Sequence, residues 1–368
     1  MPVQLKQLKI ENFKNYTTAE LEFSVGFNCF TGLNGAGKTN LLDAIYYLCS
    51  GKSYFNFTDS QLIKDNENYF SLRGSFDMGS RIDEVACVLV KGRKKVIKRN
   101  DVLYERVIDH YGNFPAIIIA PGDLYLVTGG SEERRKWLDS VISLIDRDYL
   151  YQLIKYEKVL EQRNAELKKM SLEKSENRHL LEVYDKMIAP LATSIHQRRL
   201  AFMADFMPVF THYYSAIAGE AENPGFQYLS YLHSSPLLDL LDMHFKKDLL
   251  MQRTNYGTHK DDLDFTLNGN PLKRFGSQGQ QKTFVFALKL AQREYIAKYK
   301  NEKPLLLLDD VCERLDEQRI RKLISIIIAE GEGQVFITDT NEERLRQHLP
   351  EGIEAKFFYI ADGEVANL

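Results

Sequence analysis

The sequence predicts an α/β fold: a phosphate-binding head whose halves lie at the two ends of the chain, with an α-helical arm inserted between them. Three observations carry this. A glycine-rich segment, GLNGAGKT (Gly32–Thr39), stands between an apolar strand and a helical pattern. Near the other end, four leucines run into two carboxylates in PLLLLDD (304–310). Between them, from about residue 131, apolar residues recur at three- and four-residue steps, the period of helices.

Composition sets the bounds. At roughly 150 residues per domain, 368 residues suggest about two domains. Hydrophobic residues make up 44% and charged residues 27%, as in ordinary globular protein. The net charge of −3 excludes a globally basic nucleic-acid binder but not a local basic surface. No run approaches the roughly 18 apolar residues of a membrane span. The opening MPVQLKQLKIENFKN has no apolar core of a secretory signal, so a cytoplasmic protein is expected. Cysteines 29, 49, 87 and 312 stand singly, which suits reduced thiols and neither a disulfide framework nor a zinc site.

The elements follow in order. VQLKQLKI (3–10), ELEF (20–23) and FNCFT (27–31) read as strands, with ENFKNY (11–16) as a turn. After Gly32 a helix presents Leu41, Leu42, Ile45, Tyr46 and Leu48. β patterning returns over 70–104, and AIIIA (116–120) is a buried strand. Two long helices follow, from Leu138 to Met170 and from Leu180 to Phe206, broken by SLEKSENRH (171–179) and ended by Pro208. At about 35 residues each would reach about 50 Å. Another helix is expected over 236–253, then the strand DLDFTL (262–267) and an Asn268–Gly269 hairpin turn. Helices over 279–299, 316–330 and 341–348 alternate with strands 304–310, 334–338 and 356–360. That alternation predicts a mostly parallel sheet. The expected domains are a discontinuous head, 1–130 with 255–368, and an arm, 131–254.

Four constellations carry chemistry. In the first, Gly32, Leu33, Asn34, Gly35, Ala36, Gly37, Lys38, Thr39 and Asn40 form a phosphate loop: glycines let backbone N–H groups wrap phosphates at a helix N-terminus. Lys38 is placed to reach the β- and γ-phosphates and Thr39 to ligate Mg²⁺. In the second, Asp309 is the strand-end carboxylate for Mg²⁺, and Asp310 either orients the attacking water or caps a loop. The third is FGSQGQQKTF (275–284), where Ser277, Gly279 and Gln280 precede a helix as an ordinary N-cap or as an anion-facing loop. The fourth is KGRKKVIKR (91–99), six cations in nine residues, either a solvated edge hairpin or a phosphate-backbone contact through Arg93, Lys94 and Lys95. Arg134, Arg135, Lys136, Arg198 and Arg199 are candidates to extend such a track along the arm. His259 reads as a lone hydrogen-bonding histidine, and the remaining histidines show no metal-ligand spacing.

Together, the phosphate loop, the SQGQ segment, DDVCERLD (309–316) and ENFKNY resemble the RecF family of bacterial DNA-repair ATPases, relatives of the SMC proteins. GTHKDDL (257–263) and GGSEERRKWLD (129–139) extend the resemblance over nearly the whole chain, although Thr258 and Lys260 replace the family's usual proline and arginine and KSYFNFTDSQLI (52–63) matches poorly. The resemblance implies an ABC/SMC-type ATPase head with a mixed sheet. It implies a weak, DNA-stimulated ATPase that dimerises on ATP, with Ser277, Gly279 and Gln280 closing over ATP held by the other protomer. It places Asp316 in the loop linking the two sites, Thr340 (beside Thr338 and Asp339) as γ-phosphate sensor, and Lys14 and Asn15 at the side of the nucleotide. Gln61 is the poorest candidate, as a Mg²⁺-contacting glutamine. DNA gaps, and RecR and RecO as partners in loading RecA, are likewise implied by resemblance alone. Asp310 stands where ABC proteins usually have glutamate, which predicts slow turnover. Two other functions compete: the ATPase subunit of an ABC transporter, and a P-loop kinase for a small acceptor. The arm length and the missing switch histidine argue against the first, and the SQGQ segment against the second. The arm is too short for a full SMC coiled coil.

Overall fold

The structure, a computed structural model, describes residues 3–55, 57–175, 177–311, 317–331 and 333–367. It divides into two compact units: Met1–Asp123 with His212–Ala221 and Gln278–Leu368, and Leu124–Thr211 with Glu222–Ser277. The division falls away from the expected boundaries. DLDFTL and its hairpin join the arm unit, because they pair with a strand that follows the long arm helix, Pro224–Leu229, and not with a head strand.

The first unit holds two six-stranded sheets, where one mostly parallel sheet is expected. One sheet is antiparallel, in the order Tyr16–Glu22, Gln4–Phe13, Tyr69–Asp77, Ile82–Val90, Val96–Arg99, Val102–Leu103. Short turns join most of its strands, and short turns allow only antiparallel pairing. The other has Glu364–Asn367, Ala355–Ala361, Phe27–Thr31, Val335–Asp339, Leu305–Leu308 and Ala116–Ile119, parallel except for its terminal hairpin. That hairpin adds a strand beyond those expected from the sequence.

Helix Lys38–Ser50 belongs to a core that draws on both sheets: Leu5, Leu8 and Phe70 from one, and Phe30, Leu307 and Phe336 from the other. It is therefore buried around most of its circumference, including Asp43 at 0% exposure. A helix read as one-faced from its period is two-faced because both flanks are covered. Phe27–Thr31, Leu305–Leu308, Val335–Asp339 and Ala116–Ile119 end at one edge of the parallel sheet. In open α/β sheets that carboxyl edge is where ligands bind.

The second unit is built on helices Ser131–Ile145, Arg147–Glu173 and His179–Ala218, the last running on into the first unit. Its 40 residues make about 60 Å. Pro208, expected to end the helix, lies inside it, as does Pro190. Each proline frees the carbonyl four residues earlier. Both prolines, Lys186 and Ala204 are exposed, so water can serve those carbonyls. Phe202, Phe206 and Phe210 pack on Trp137 and Phe226 along the opposite face. The helix expected over 236–253 is two short ones, Leu237–Met243 and Phe245–Met251. The hairpin turn has Asn268 at φ 52° and Gly269 at φ 76°, the left-handed pair that an Asn-Gly turn supplies. No described helix is long and apolar enough to cross a membrane.

Candidate nucleotide site

The glycine-rich loop leaves the parallel sheet at Thr31 and enters the helix at Lys38. Gly32, at φ +147°, could not carry a side chain: a Cβ there would lie 2.1 Å from the Ile360 carbonyl oxygen. Gly37 is likewise left-handed, and a Cβ would meet the Asn15 side chain at 2.5 Å. Leu33, Asn34 and Gly35 are exposed at the crest, while Ala36, Gly37 and Lys38 are buried. The Lys38 ammonium donates to the carbonyls of Gly32 (2.7 Å) and Leu33 (2.9 Å), so it is held at the mouth of the loop.

Beside it the Thr39 hydroxyl donates to both carboxylate oxygens of Asp309, at 2.9 and 3.1 Å. The two residues are remote in sequence and meet because the strand before the glycine loop and the strand before Asp309 end at the same sheet edge. Thr338 adds a third element. Its hydroxyl donates to Asp309 Oδ1 at 3.0 Å and accepts the Asp310 N–H at 2.9 Å. Asp309 is 4% exposed. Burial first, then the neighbouring Asp310, push its carboxyl up from 3.8 to about 6. Asp310 sits at φ 48°, a left-handed conformation uncommon outside glycine and asparagine, which turns the chain directly after the strand. A hydroxyl and a carboxylate side by side, with burial disfavouring the bare negative charge, are the hard oxygen donors that suit Mg²⁺.

ENFKNY wraps the loop from outside. Asn15 donates to the Ala36 carbonyl (3.0 Å) and accepts from Asn40 (2.8 Å), and the Tyr16 hydroxyl donates to the Gly37 carbonyl (3.0 Å). Asn15 thus supports the loop backbone. Tyr16 is a buttress that sequence reading missed; its place one residue after Asn15 on the same strand-turn is the available signal.

The structure places the remaining candidates as follows. The Lys14 ammonium is buried 2.6 Å from Asp43, on the helix that follows the loop. Of the hydroxyls near the sheet edge, Thr338 touches Asp309, and Thr340, the expected sensor, is half-buried one residue past the end of the strand. Gln61 caps its own short helix, accepting from the Thr58 N–H and hydroxyl. His259 is shared between the Tyr156 hydroxyl (2.7 Å) and the Thr254 carbonyl (3.0 Å), with burial pulling it down to about 4. Asp316 and Cys312 lie outside the described residues.

Each candidate cation along the arm has a partner within the chain. Arg134 makes a bidentate pair with Asp262 at 2.7 and 3.0 Å, and Arg135 donates to the Asp261 carbonyl at 2.7 Å. Arg199 is 1% exposed between Asp139 and Asp261. Arg198 pairs with Asp146, and exposed Lys136 with Glu132. At the hairpin, Arg93 and Lys94 are exposed, but Lys95 is bound to Asp59 (2.9 Å) and to the Gly51 carbonyl (2.6 Å).

Ser277 is exposed immediately before helix Gln278–Lys300. In the first turn of that helix a Cβ on Gly279 would lie 2.4 Å from the Arg319 guanidinium. Arg319, from helix Glu317–Ala329, therefore rests on Gly279, a neighbour that sequence spacing gave no means of finding.

A glycine loop at the carboxyl edge of a parallel sheet, answered by a strand-end aspartate and flanked by an antiparallel sheet, defines a P-loop ATPase head of the ABC/SMC kind. The family model described as the RecF/RecN/SMC N-terminal domain matches residues 4–113. Smc head domains share the fold, as in that of Pyrococcus furiosus at a TM-score of 0.58 and 17% identity, covering 100% of this chain and 96% of that one. More specifically, the DNA replication and repair protein RecF of Flavobacterium johnsoniae is 44% identical over 342 residues, 93% of this chain and 95% of that protein. RecF of Phocaeicola vulgatus is 43% identical over 365 residues, covering 98% and 97%. A structure of the recombination mediator protein RecF with ATP has a TM-score of 0.90 at 32% identity, covering 100% of this chain and 98% of that one. The chain belongs to the RecF family.

Proposed function

We propose that this protein is an ATP-switched, DNA-binding protein of replication and recombinational repair. The observation that carries the reading is the convergence of Lys38, Thr39 and Asp309 at one sheet edge around a glycine-bounded loop. The names of the RecF relatives, and the solved RecF with ATP, support the same reading.

Lys38, held by two carbonyls, exchanges them for phosphate oxygens, and the loop N–H groups take the rest of the triphosphate. Thr39 and Asp309 hold Mg²⁺, which neutralises developing charge on the phosphates when bound. Asp310 orients the attacking water; as a carboxylate one methylene shorter than the usual glutamate, it reaches less far, and turnover is slow. ATP bound to one copy is closed by Ser277, Gly279 and Gln280 of a second copy, so ATP favours the dimer by binding the closed state better. DNA is held through its phosphates, with affinity that falls as salt rises. RecR and RecO belong to this proposal by family relation. Weak hydrolysis stimulated by DNA then acts as a release timer. Neither the transporter nor the kinase reading finds a counterpart among the relatives named above.

The test is binding of gapped duplex DNA with and without Mg–ATP. Wild type gains affinity with ATP, whereas Lys38→Ala binds neither ATP nor, in excess of its basal level, DNA. An ATP response that survives in Lys38→Ala refutes the reading.

A further inference from the structure

Thr338 uses both sides of its hydroxyl, and both partners lie in the nucleotide site. It belongs to strand Val335–Asp339, which pairs in parallel with Leu305–Leu308, Ile337 beside Leu308, so Thr338 stands level with Asp309. Its side chain is wholly buried. The hydroxyl proton goes to Asp309 Oδ1 (3.0 Å), and a lone pair takes the Asp310 N–H (2.9 Å). The rest of the strand is apolar up to this point, Val335, Phe336 and Ile337, and a valine has the shape of threonine without its oxygen. A buried hydroxyl is costly unless it is hydrogen-bonded, so the oxygen at 338 is accounted for by the two aspartates and not by packing.

The two aspartates depend on that hydroxyl in different ways. The Asp309 backbone is tied to the Ile119 carbonyl (2.8 Å), and its carboxylate accepts from Thr39 and from Thr338. Thr39 is the hydroxyl assigned to Mg²⁺ above, which leaves Thr338 as the donor whose only side-chain task is to orient the carboxylate. Asp310 leaves the strand at φ 48°, and the bond from its N–H to Thr338 fixes that turn, and with it the direction in which the Asp310 side chain sets out. We propose that Thr338 is a positioning residue for ATP hydrolysis: one hydroxyl on the neighbouring strand holds the metal-binding Asp309 and the water-orienting Asp310 in register with each other. The proposal rests on the roles given to those two aspartates under the proposed function. Groups that orient a metal-binding side chain are typically worth about 10–100-fold in metal affinity or activity.

The experiment compares Thr338→Val, Thr338→Ser and Asp309→Asn with wild type in the full chain. Three quantities are measured: ATP affinity in EDTA, the affinity of the ATP-loaded protein for Mn²⁺ by electron paramagnetic resonance, and the single-turnover rate of hydrolysis with Mg²⁺. Thr338→Val should keep the wild-type ATP affinity in EDTA, bind Mn²⁺ about tenfold more weakly and hydrolyse ATP about a hundredfold more slowly. Thr338→Ser, which keeps the hydroxyl, should recover most of both losses. Three results overturn the proposal by making Thr338 a packing residue: wild-type Mn²⁺ affinity and rate in Thr338→Val, a Thr338→Ser protein no better than the valine variant, or a Thr338→Val protein that loses as much ATP affinity in EDTA as it loses rate. An Asp309→Asn protein that hydrolyses ATP at the wild-type rate instead removes the aspartate roles on which the proposal is built, so that failure is told apart from its own.

Discussion

Lys14→Met separates a structural role from a nucleotide-contacting one. The Lys14 side chain is 8% exposed and its partner Asp43 is 0% exposed, with 2.6 Å between them. Removing one partner of a buried pair costs about 3–5 kcal/mol, because the other charge stays buried without its counter-ion. Asp43 keeps two donors, the Ser53 hydroxyl at 2.7 Å and the Tyr54 N–H at 2.9 Å, which sets the expectation at the lower end, about 3 kcal/mol. For a unit of roughly 150–250 residues this lowers the melting temperature by about 6–12 °C. Differential scanning calorimetry measures that shift, and equilibrium binding of a fluorescent ATP analogue measures the site. Replacing both partners, Lys14→Met with Asp43→Asn, recovers part of the loss, since no lone charge remains and the amide oxygen still accepts from the Tyr54 N–H. A variant that melts like wild type but binds ATP tenfold more weakly refutes the reasoning and returns Lys14 to the nucleotide.

In the second unit, Arg163 is fully buried between Asp185 (2.5 Å) and Asp248 (3.0 Å), so Arg163→Met costs about 3–5 kcal/mol in urea unfolding. The single tryptophan, Trp137, lies in that unit and reports the transition by fluorescence. His110 and His259 are both pulled down to about 4 by burial. Between pH 6.5 and 4 the unfolded chain binds protons that the native one does not, so stability falls on acidification through that window by up to about 3 kcal/mol per histidine. Urea midpoints at pH 7.5 and 4.5 check this, and His259→Gln flattens part of the slope. Asp309→Asn removes the carboxylate facing Thr39 and lowers single-turnover ATP hydrolysis by about a hundredfold or more, with the P-loop contacts to ATP kept.

The nucleotide site was legible because its chemistry is local. The glycine loop lies within one turn, and the leucine run with its aspartates within one strand. Alternation and apolar runs likewise placed most strands to within a residue or two. What pattern could not supply is pairing over distance. An exposed arginine and an ion-paired one look alike until Asp262 is known to face Arg134, and Asp139 and Asp261 to face Arg199. The same holds for Lys14, whose partner sits on the helix after the loop. Strand directions were missed for a related reason: one period-2 pattern serves parallel and antiparallel neighbours, and only connection length tells them apart. Pro208 misled because its cost depends on the face it occupies, which the sequence does not state.

Sedimentation velocity of wild type and Ser277→Arg, with and without Mg–ATP, bears most directly on the two-copy nucleotide site. Wild type should shift from monomer to dimer on adding ATP, while Ser277→Arg should bind ATP with unchanged affinity and stay monomeric. A Ser277→Arg protein that dimerises with ATP as readily as wild type contradicts the account.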